Sequence, residues 1–256
     1  MLLRCFGMEV EGWNMKQILI TNDDGIFADG LVRLASIAKE FGDVWVVAPD
    51  GQRSAASHRI TLHQPVDVNP AVDFPVEGVH AFSCSGTPAD CVRVGSLYVM
   101  KKKPDLVLSG INYGYNVASD IQYSATVGAA LEASFQGYPA MALSEGCKYH
   151  SVTDAYIRGI LEEYIEKTPP AGHVWNVNFP DCPVQKCKGI LHDRKVSKGT
   201  FYHDHYSEIE KLPGGGVRLM VEGVYDGQCE EGTDFRAVIE GFVSIGLVNN
   251  VGYSGR

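Results

Sequence analysis

Apolar runs of strand length alternate with segments of helical spacing through the first 180 residues of the chain. The run ILI at 18–20 ends in polar residues and glycine, which predicts a buried strand that stops at a functional turn. The next segment, LVRLASIAKEFG, has apolar residues at helical spacing, and Gly42 is predicted to end that helix. VWVVAP at 44–49 then predicts a second buried strand, so the chain starts as strand, helix and strand.

The middle of the chain continues this pattern after a turn-rich stretch. In that stretch we predict only short strands, near residues 59–63 and 78–84. Thr87 stands at an N-cap position with proline directly after it, which predicts a helix through about Met100. Five further segments follow, as strands at 105–112, 139–144 and 173–180 and as helices at 124–137 and 154–167. Such alternation implies an α/β fold with a mostly parallel, doubly wound sheet.

Beyond residue 181 the pattern changes to glycine-rich breaks and stretches of period two, which are typical of hairpins. We therefore divide the chain into an N-terminal extension at 1–14, a core at 15–181 and a last part at 182–256. The last part is expected to form a hairpin-rich arm and a C-terminal segment that packs on the core. That segment, TDFRAVIEGFVSIGLV, predicts a short helix followed by a strand.

Composition narrows the class of protein. The chain has 256 residues, of which 45% are hydrophobic and 21% charged, so one large soluble domain is expected. Its formal net charge of -9 argues against a nucleic-acid polymer or an acidic membrane as the main partner, because both repel such a surface. The seven cysteines form no CxxC pair, so neither a disulfide framework nor a zinc site is indicated. Without a signal peptide or a membrane span in the sequence, a cytoplasmic location is expected.

Three polar segments stand at the carboxyl ends of predicted strands. TNDDG at 21–25 ends the first strand, APDGQRSAAS at 48–57 follows the second, and SGINYGYN at 109–116 ends a third. In an open parallel sheet, ligands bind beyond the carboxyl ends of the strands. We therefore expect these three loops to meet at one edge of the sheet.

Two adjacent carboxylates, Asp23 and Asp24, are the first candidates for chemistry in these loops. Like charges so close are unfavourable unless a cation or hydrogen-bond donors compensate them. Ser54 offers a hydroxyl oxygen and Asn112 an amide oxygen, and an all-oxygen set suits Mg²⁺, Mn²⁺ or Ca²⁺. An isolated DDG is explained more simply as a turn with a helix-capping aspartate, and the residues alone leave that alternative open.

Six segments of the chain resemble the SurE survival-protein family in identity, order and spacing. They are ILITNDDG at 18–25, VVAPDGQRSAAS at 46–57, CSGTPADCVRVG at 84–95, PDLVLSGINYGYN at 104–116, IQYSATVGAALEA at 121–133 and EGTDFRAVIEGFVSI at 231–245. The resemblance runs from Met15 to about residue 248 and is weaker in the hairpin-rich part. It implies a Rossmann-like, three-layer fold and a homodimer or homotetramer built through the C-terminal arm.

The resemblance also implies a function and a site. The family's metal ligands correspond to Asp23, Asp24, Ser54 and Asn112, which would hold one divalent ion per subunit, Mg²⁺ or Mn²⁺, with Ca²⁺ possible in a crystal. The family releases inorganic phosphate from nucleoside 5′- or 3′-monophosphates, and in some members from short polyphosphate. We therefore expect a metal-dependent phosphatase in which Asp23 and Asp24 are catalytic and Asp23 orients or deprotonates the attacking water.

Three residues further along are candidates for phosphate binding. Asn116, Ser124 and Thr126 stand in a loop and at a helix start, where N–H groups and hydroxyls can hold a phosphate. Ser124 could equally be an N-cap, and Asn116 could be a turn residue with left-handed backbone. Ala125 departs from the family, which usually has glycine in this place, and a modest change in phosphate affinity is expected.

Three other functions compete with the phosphatase. A phosphatase with an aspartate nucleophile usually separates its two aspartates by one residue, whereas Asp23 and Asp24 are adjacent. A nicotinamide-dependent oxidoreductase would have GxGxxG after the first strand, where this chain has none. A nucleotide-sensing protein without turnover is the alternative that the sequence excludes least, because binding and catalysis use largely the same residues.

Overall fold

Apart from the short segment at 59–63, the strands predicted before residue 181 join one sheet. The structure is a computed structural model, and it describes residues 15–249; the predicted extension at 1–14 and the end of the C-terminal segment lie outside the described residues. The strands are β1 (Lys16–Thr21), β2 (Gly42–Pro49), β3 (Val68–Pro70), β4 (His80–Cys84), β5 (Leu106–Tyr113), β6 (Ala140–Glu145), β7 (His173–Phe179), β8 (Ile190–Arg194), β9 (Tyr202–Lys211), β10 (Val217–Tyr225) and β11 (Val243–Asn249). The helices are α1 (Asp29–Ala38), α2 (Pro88–Val94), α3 (Ala125–Phe135), α4 (Ser151–Tyr164) and α5 (Asp234–Ile239).

The main sheet has nine strands in the order β3-β4-β2-β1-β5-β6-β7-β11-β8. The six central strands from β4 to β7 are parallel, whereas β3 runs antiparallel to its neighbour β4 and β11 runs antiparallel to its neighbour β7. Chain order reverses at β1, because β2 lies on one side of it and β5 on the other. This is the predicted doubly wound α/β fold, and it places the carboxyl ends of β1, β2 and β5 side by side.

Helices cover both faces of this sheet, so the fold has three layers with the sheet in the middle. Because side chains alternate along a strand, Ile18 and Ile20 of β1 pack in one apolar cluster with α1 and α4, while Leu19 packs in a second cluster with α2 and α3. Helix α3 is buried along almost its whole length, as its small apolar residues predict. Within residues 15–249, none of the helices is both long enough and apolar enough to span a membrane.

Two local predictions were wrong, and each has a steric or hydrogen-bonding cause. Helix α1 ends at Ala38, and Gly42 instead begins β2, where a Cβ atom would lie 2.2 Å from the carbonyl oxygen of Lys16 on β1. The predicted strand at 59–63 does not form. There the N–H and the hydroxyl of Thr61 donate to the Asp90 carboxylate at 2.9 and 2.7 Å, so this backbone is bound to a side chain and not to a strand.

The predicted cap of α2 is confirmed. The Thr87 hydroxyl accepts a hydrogen bond from the N–H of Asp90, and the Asp90 side chain accepts one from the N–H of Thr87. Such reciprocal bonds satisfy two N–H groups that a helix start leaves without partners. One π-helical turn at Gly95–Val99 prolongs the helix, so the helical segment ends one residue before the predicted Met100.

The chain after residue 181 contributes to the sheet as well as forming an arm. Strands β8 and β11 extend the main sheet beyond β7, and helix α5 precedes β11 as predicted. Strands β9 and β10 pair only with each other in an antiparallel hairpin, residues 202–225, which we call the arm. All residues of β10 are exposed, so the arm projects from the sheet edge.

A glycine in α3 permits close contact between this helix and the loop that follows β2. A Cβ atom on Gly128 would lie 2.5 Å from the carbonyl oxygen of Ser57 and 2.9 Å from the Cα of His58. Both neighbours belong to the backbone, which cannot move aside as a flexible side chain can. The loop after β2, with Ser54 in it, is therefore positioned by the absence of a side chain at Gly128.

We expect Gly128→Ala to lower the free energy of unfolding by about 1–3 kcal/mol, because the new methyl group overpacks the contact with Ser57. Gly159→Ala is the matched control, since Gly159 is also helical and has nothing within 4 Å of an added Cβ. That control should be neutral or gain up to about 1 kcal/mol from helix propensity. Urea denaturation measures both values; equal effects of the two substitutions would contradict the close contact.

Candidate metal centre

The three polar loops meet at the carboxyl ends of β1, β2 and β5, as predicted. Asp23, Ser54 and Asn112 line one cavity of about 410 Å³. Asp24 lies beside it, and its Oδ2 atom accepts a hydrogen bond of 3.2 Å from the N–H of Tyr113, the residue after Asn112. The structure therefore brings the four predicted ligand residues to one edge of the sheet.

Backbone hydrogen bonds connect these loops to one another. The N–H of Arg53 donates to the carbonyl oxygen of Asp23 at 2.7 Å, which ties the loop of Ser54 to the loop of the two aspartates. Ser57 binds the segment before α3 twice, through its N–H to the carbonyl of Tyr123 at 3.0 Å and through its hydroxyl to the carbonyl of Gln122 at 2.9 Å. These hydrogen bonds fix the positions of the loops relative to one another.

Asn22 shapes the turn that carries Asp23 and Asp24. Its buried side chain donates to the carbonyl oxygen of Gly25 at 2.9 Å and accepts from the N–H of the same residue at 3.2 Å. Gly25 has a φ of +109°, a conformation that residues with a side chain rarely adopt. Sequence analysis did not single out Asn22, although an asparagine three residues before glycine is a signal of such a turn.

A break in strand pairing directs Asn112 into the cavity. The register of β5 against β6 shifts between Ser109 and Asn112. Gly110 lies in this irregularity with a φ of +142°, and a Cβ atom there would lie 2.4 Å from the carbonyl oxygen of Leu143. The side-chain nitrogen of Asn112 donates to the carbonyl of Gly114 at 2.8 Å. Its amide oxygen is therefore the atom suited to a cation.

Burial dominates the electrostatics of Asp23, which is 4% exposed. It raises the pKa of Asp23 to about 6, and the charge of Asp24 adds to the rise, while the hydroxyl of Thr126 opposes it by donating to Oδ1 at 2.5 Å. Burial also raises the pKa of Asp24, against the opposing hydrogen bond from Tyr113. Two adjacent carboxylates are thus held in a place that disfavours their charged forms, and a divalent cation would reverse that preference.

The donor set has the composition that a hard cation requires. Among the described residues no group of three or more His, Cys, Asp and Glu side chains is placed to hold a metal. The candidate site accordingly rests on two carboxylates, one hydroxyl and one amide oxygen, and such all-oxygen sets suit Mg²⁺, Mn²⁺ and Ca²⁺. The Ser54 hydroxyl accepts a hydrogen bond of 2.9 Å from the side chain of Gln52, which orients it.

The three predicted phosphate-binding residues differ in what they offer. Ser124 is the N-cap of α3 and accepts from the N–H of Val127 at 3.0 Å, so its hydroxyl proton is still available to a ligand. Asn116 lines the cavity, but its side-chain nitrogen donates to the hydroxyl of Ser144 at 2.8 Å. Thr126 is fully buried and donates its hydroxyl to Asp23, so its observed contact at the site is with that carboxylate.

Several residues that the sequence analysis missed also line the cavity: Tyr113, Tyr115, Asp120, Tyr123, Tyr202 and Asp204. Tyr113 is the last residue of β5 and the next three belong to the segment between β5 and α3, where their proximity to the candidate ligands was a usable signal. The last two belong to the arm, about 80 residues further along the chain. No local pattern in the sequence indicates that contact.

Comparison with known proteins gives consistent matches over most of the chain. Residues 18–200 match the model of the family described as Survival protein SurE. The chain is 39% identical over 232 residues to the 5'/3'-nucleotidase SurE of Escherichia coli O1:K1 / APEC, covering 90% of this chain and 88% of that protein, and the corresponding Escherichia fergusonii protein matches equally well. The crystal structure of the SurE protein from Aquifex aeolicus superposes with a TM-score of 0.77 at 32% identity, covering 93% of this chain and 96% of that chain.

The metal-free chain should be stabilised by Asp23→Asn at high pH. The pKa of Asp23 is about 6 in the folded chain against 3.8 in the unfolded chain, so between these values the folded state holds one proton more. The free energy of unfolding therefore falls by about 3 kcal/mol as pH rises through this window, and it stays lower above it. The Asp23→Asn variant does not lose this stability, because the asparagine side chain does not ionise.

Thermal unfolding in EDTA at pH 4 and pH 8 measures the effect. We expect the Asp23→Asn variant to exceed the original chain in stability at pH 8 and to equal it at pH 4. Asp73→Asn, which removes an exposed carboxylate, should change neither value. Equal stability of the original chain and of Asp23→Asn at pH 8 would contradict the burial penalty.

Proposed function

The chain belongs to the survival protein SurE family, and on that premise we propose that it is a metal-dependent 5′/3′-nucleotidase. It would hydrolyse nucleoside 5′- and 3′-monophosphates to nucleoside and inorganic phosphate. The curated relatives that match over 90% of the chain carry the name 5'/3'-nucleotidase. The observation that carries the proposal is the convergence of Asp23, Ser54 and Asn112 on one cavity with Asp24 beside it.

The cation would be held by Asp23, Asp24, Ser54 and Asn112. Burial disfavours the charged forms of the two carboxylates, and a cation would offset that effect. Hydrogen bonds with Gln52 and Gly114 orient the Ser54 hydroxyl and the Asn112 amide. When bound, one Mg²⁺ or Mn²⁺ per subunit supplies polarisation of a phosphoryl oxygen and a lowered pKa for the attacking water. All other steps fall to the side chains and N–H groups of the chain.

Asp23 is our candidate to orient or deprotonate the attacking water. The hydroxyl of Thr126 fixes its Oδ1 atom, which leaves Oδ2 free to face the cavity. Asp24 is fixed in the same way by the N–H of Tyr113. Each carboxylate therefore has one oxygen bound to the chain, so neither has to reorganise during the reaction.

The start of α3 would hold the phosphate. Ser124, which lines the cavity, would contribute its hydroxyl proton, and the N–H groups of the helical turn that starts after it would add to the binding. Asn116 adds its second side-chain proton, since only one is used by Ser144. A dianionic phosphate is favoured there by the partial positive charge of the helix N-terminus.

The arm is the surface that we propose for homodimer or homotetramer formation. It exposes a run of large apolar side chains on both strands: Ile209, Val217, Leu219, Met220, Val221 and Val224. Exposed apolar patches of this kind are characteristic of protein interfaces. A second copy of the chain would cover them.

Phosphate release from a panel of nucleoside monophosphates tests the proposed activity. We expect release with Mg²⁺ or Mn²⁺ and its loss in EDTA, with recovery when the metal is restored. Short polyphosphate should be a poorer substrate, because none of the described residues that line the cavity is lysine or arginine. Nucleotide binding without release under all metal conditions would reject the enzyme in favour of the nucleotide sensor.

Asp23→Asn should reduce phosphate release by about 10²–10⁴-fold, because it removes both a metal ligand and the group that orients water. The variant should remain folded, as judged by its thermal unfolding. Asp73→Asn again serves as the control and should keep full activity. Full activity of Asp23→Asn would remove Asp23 from the mechanism.

A further inference from the structure

The first strand of the arm carries two side chains into the candidate cavity. Tyr202 and Asp204 of β9 line it together with Asp23 and Ser54. They lie two residues apart and therefore on the same face of the strand. Tyr202 is 46% exposed, so part of its ring is accessible to a ligand.

A glycine on the partner strand gives these side chains room. Gly223 of β10 pairs with Asp204, and a Cβ atom on it would lie 3.0 Å from Cδ1 of Tyr202 and 3.1 Å from Oδ1 of Asp204. Such distances are shorter than ordinary van der Waals contact. The tyrosine ring and the carboxylate thus approach each other across a position that has no side chain.

The root of the arm is fixed to the loop that leads to the phosphate-binding residues. Phe201 is buried against Phe235, with ring centroids 4.8 Å apart, in a cluster that includes Val117 and Ala118. The N–H of Ser119 also donates to the carbonyl of Gly199 at 3.2 Å, just before the arm begins. Tyr202 follows Phe201 directly, so it is held in place relative to the cavity.

Tyr123 and Asp120 line the same cavity as the two side chains of the arm. Tyr123 is 62% exposed and adjoins the N-cap of α3. Burial, and then the charge of Asp204, raise the pKa of Asp120, and both carboxylates line the cavity. This end of the cavity presents aromatic faces and carboxylate acceptors.

These surfaces favour a neutral group with a flat face and N–H or O–H donors. With no lysine or arginine among the described lining residues, a second anionic group would find no partner there. We propose that Tyr202 and Asp204 form the nucleoside subsite of the cavity. Tyr202 stacks on the base, and Asp204 accepts a hydrogen bond from a donor of the nucleoside. The assignment rests on the proposed function, and it makes the arm part of the active site.

Steady-state kinetics of a nucleoside monophosphate and of ribose 5-phosphate, which has no base, test the stacking role. Tyr202→Ala should raise KM for the nucleoside monophosphate by about 5- to 150-fold, as expected when a base loses an aromatic partner. Its kcat should stay within about twofold, and KM for ribose 5-phosphate should be unchanged. Tyr202→Phe should behave like the original chain.

Tyr206 lies four residues after Tyr202, and Glu208 lies four residues after Asp204, on the same face of β9. They provide matched controls. Tyr206 is an exposed tyrosine, at 68%, and is not among the residues that line the cavity, so Tyr206→Ala should leave both KM values unchanged. Asp204→Asn should raise KM for the nucleoside monophosphate by about tenfold, the size of one hydrogen bond to a charged acceptor. Glu208→Gln is its control and should have no effect.

The outcomes separate the subsite from the activity. If the original chain hydrolyses the nucleoside monophosphate but Tyr202→Ala changes KM equally for both substrates, or no more than Tyr206→Ala does, the subsite is wrong and the activity stands. If the original chain releases phosphate from neither substrate, both proposals fail. Thermal unfolding of each variant confirms that a change in KM is not a loss of fold.

Discussion

The burial of two adjacent carboxylates at the end of β1 is the constraint on which the site depends. Water would stabilise the charges of Asp23 and Asp24, and the fold removes most of that water from Asp23. Hydrogen bonds from the Thr126 hydroxyl and from the N–H of Tyr113 replace only part of that stabilisation. The remaining cost of burying these two charges is the reason that we propose a cation at this site. Such strain is expected where function and not stability selects the residues.

The fold positions the residues of this site largely through close contacts between backbone segments. Parallel strands on either side of β1 bring the loops with Ser54 and Asn112 to the same edge, and glycines at 110 and 128 allow the backbone contacts that position them. The arm adds Tyr202 to the cavity through a root buried at Phe201. The proposed metal ligands Asp23, Ser54 and Asn112, the N-cap of α3 and the arm therefore line one cavity.

Elements with a strong local signal could be predicted from the sequence. The apolar run of β1, the Thr87 cap and the small residues of α3 each specify their structure within a few neighbouring residues. Features set by distant partners could not be predicted. The segment at 59–63 is hydrogen-bonded to the side chain of Asp90. The hydroxyl of Thr126 donates to Asp23, which is about 100 residues away in the sequence. The meeting of the three polar loops was predictable because each lies at or after the carboxyl end of a parallel strand, whereas Asp204 reaches the cavity only through the pairing and root of the arm.

The most direct test of the central claim is a crystal structure of the chain grown with Mn²⁺, whose anomalous signal identifies the ion. We expect one ion per subunit within about 2.6 Å of oxygen atoms of Asp23, Asp24, Ser54 and Asn112. An ion bound elsewhere, or these four side chains in the same arrangement with no ion among them at saturating Mn²⁺, would contradict it.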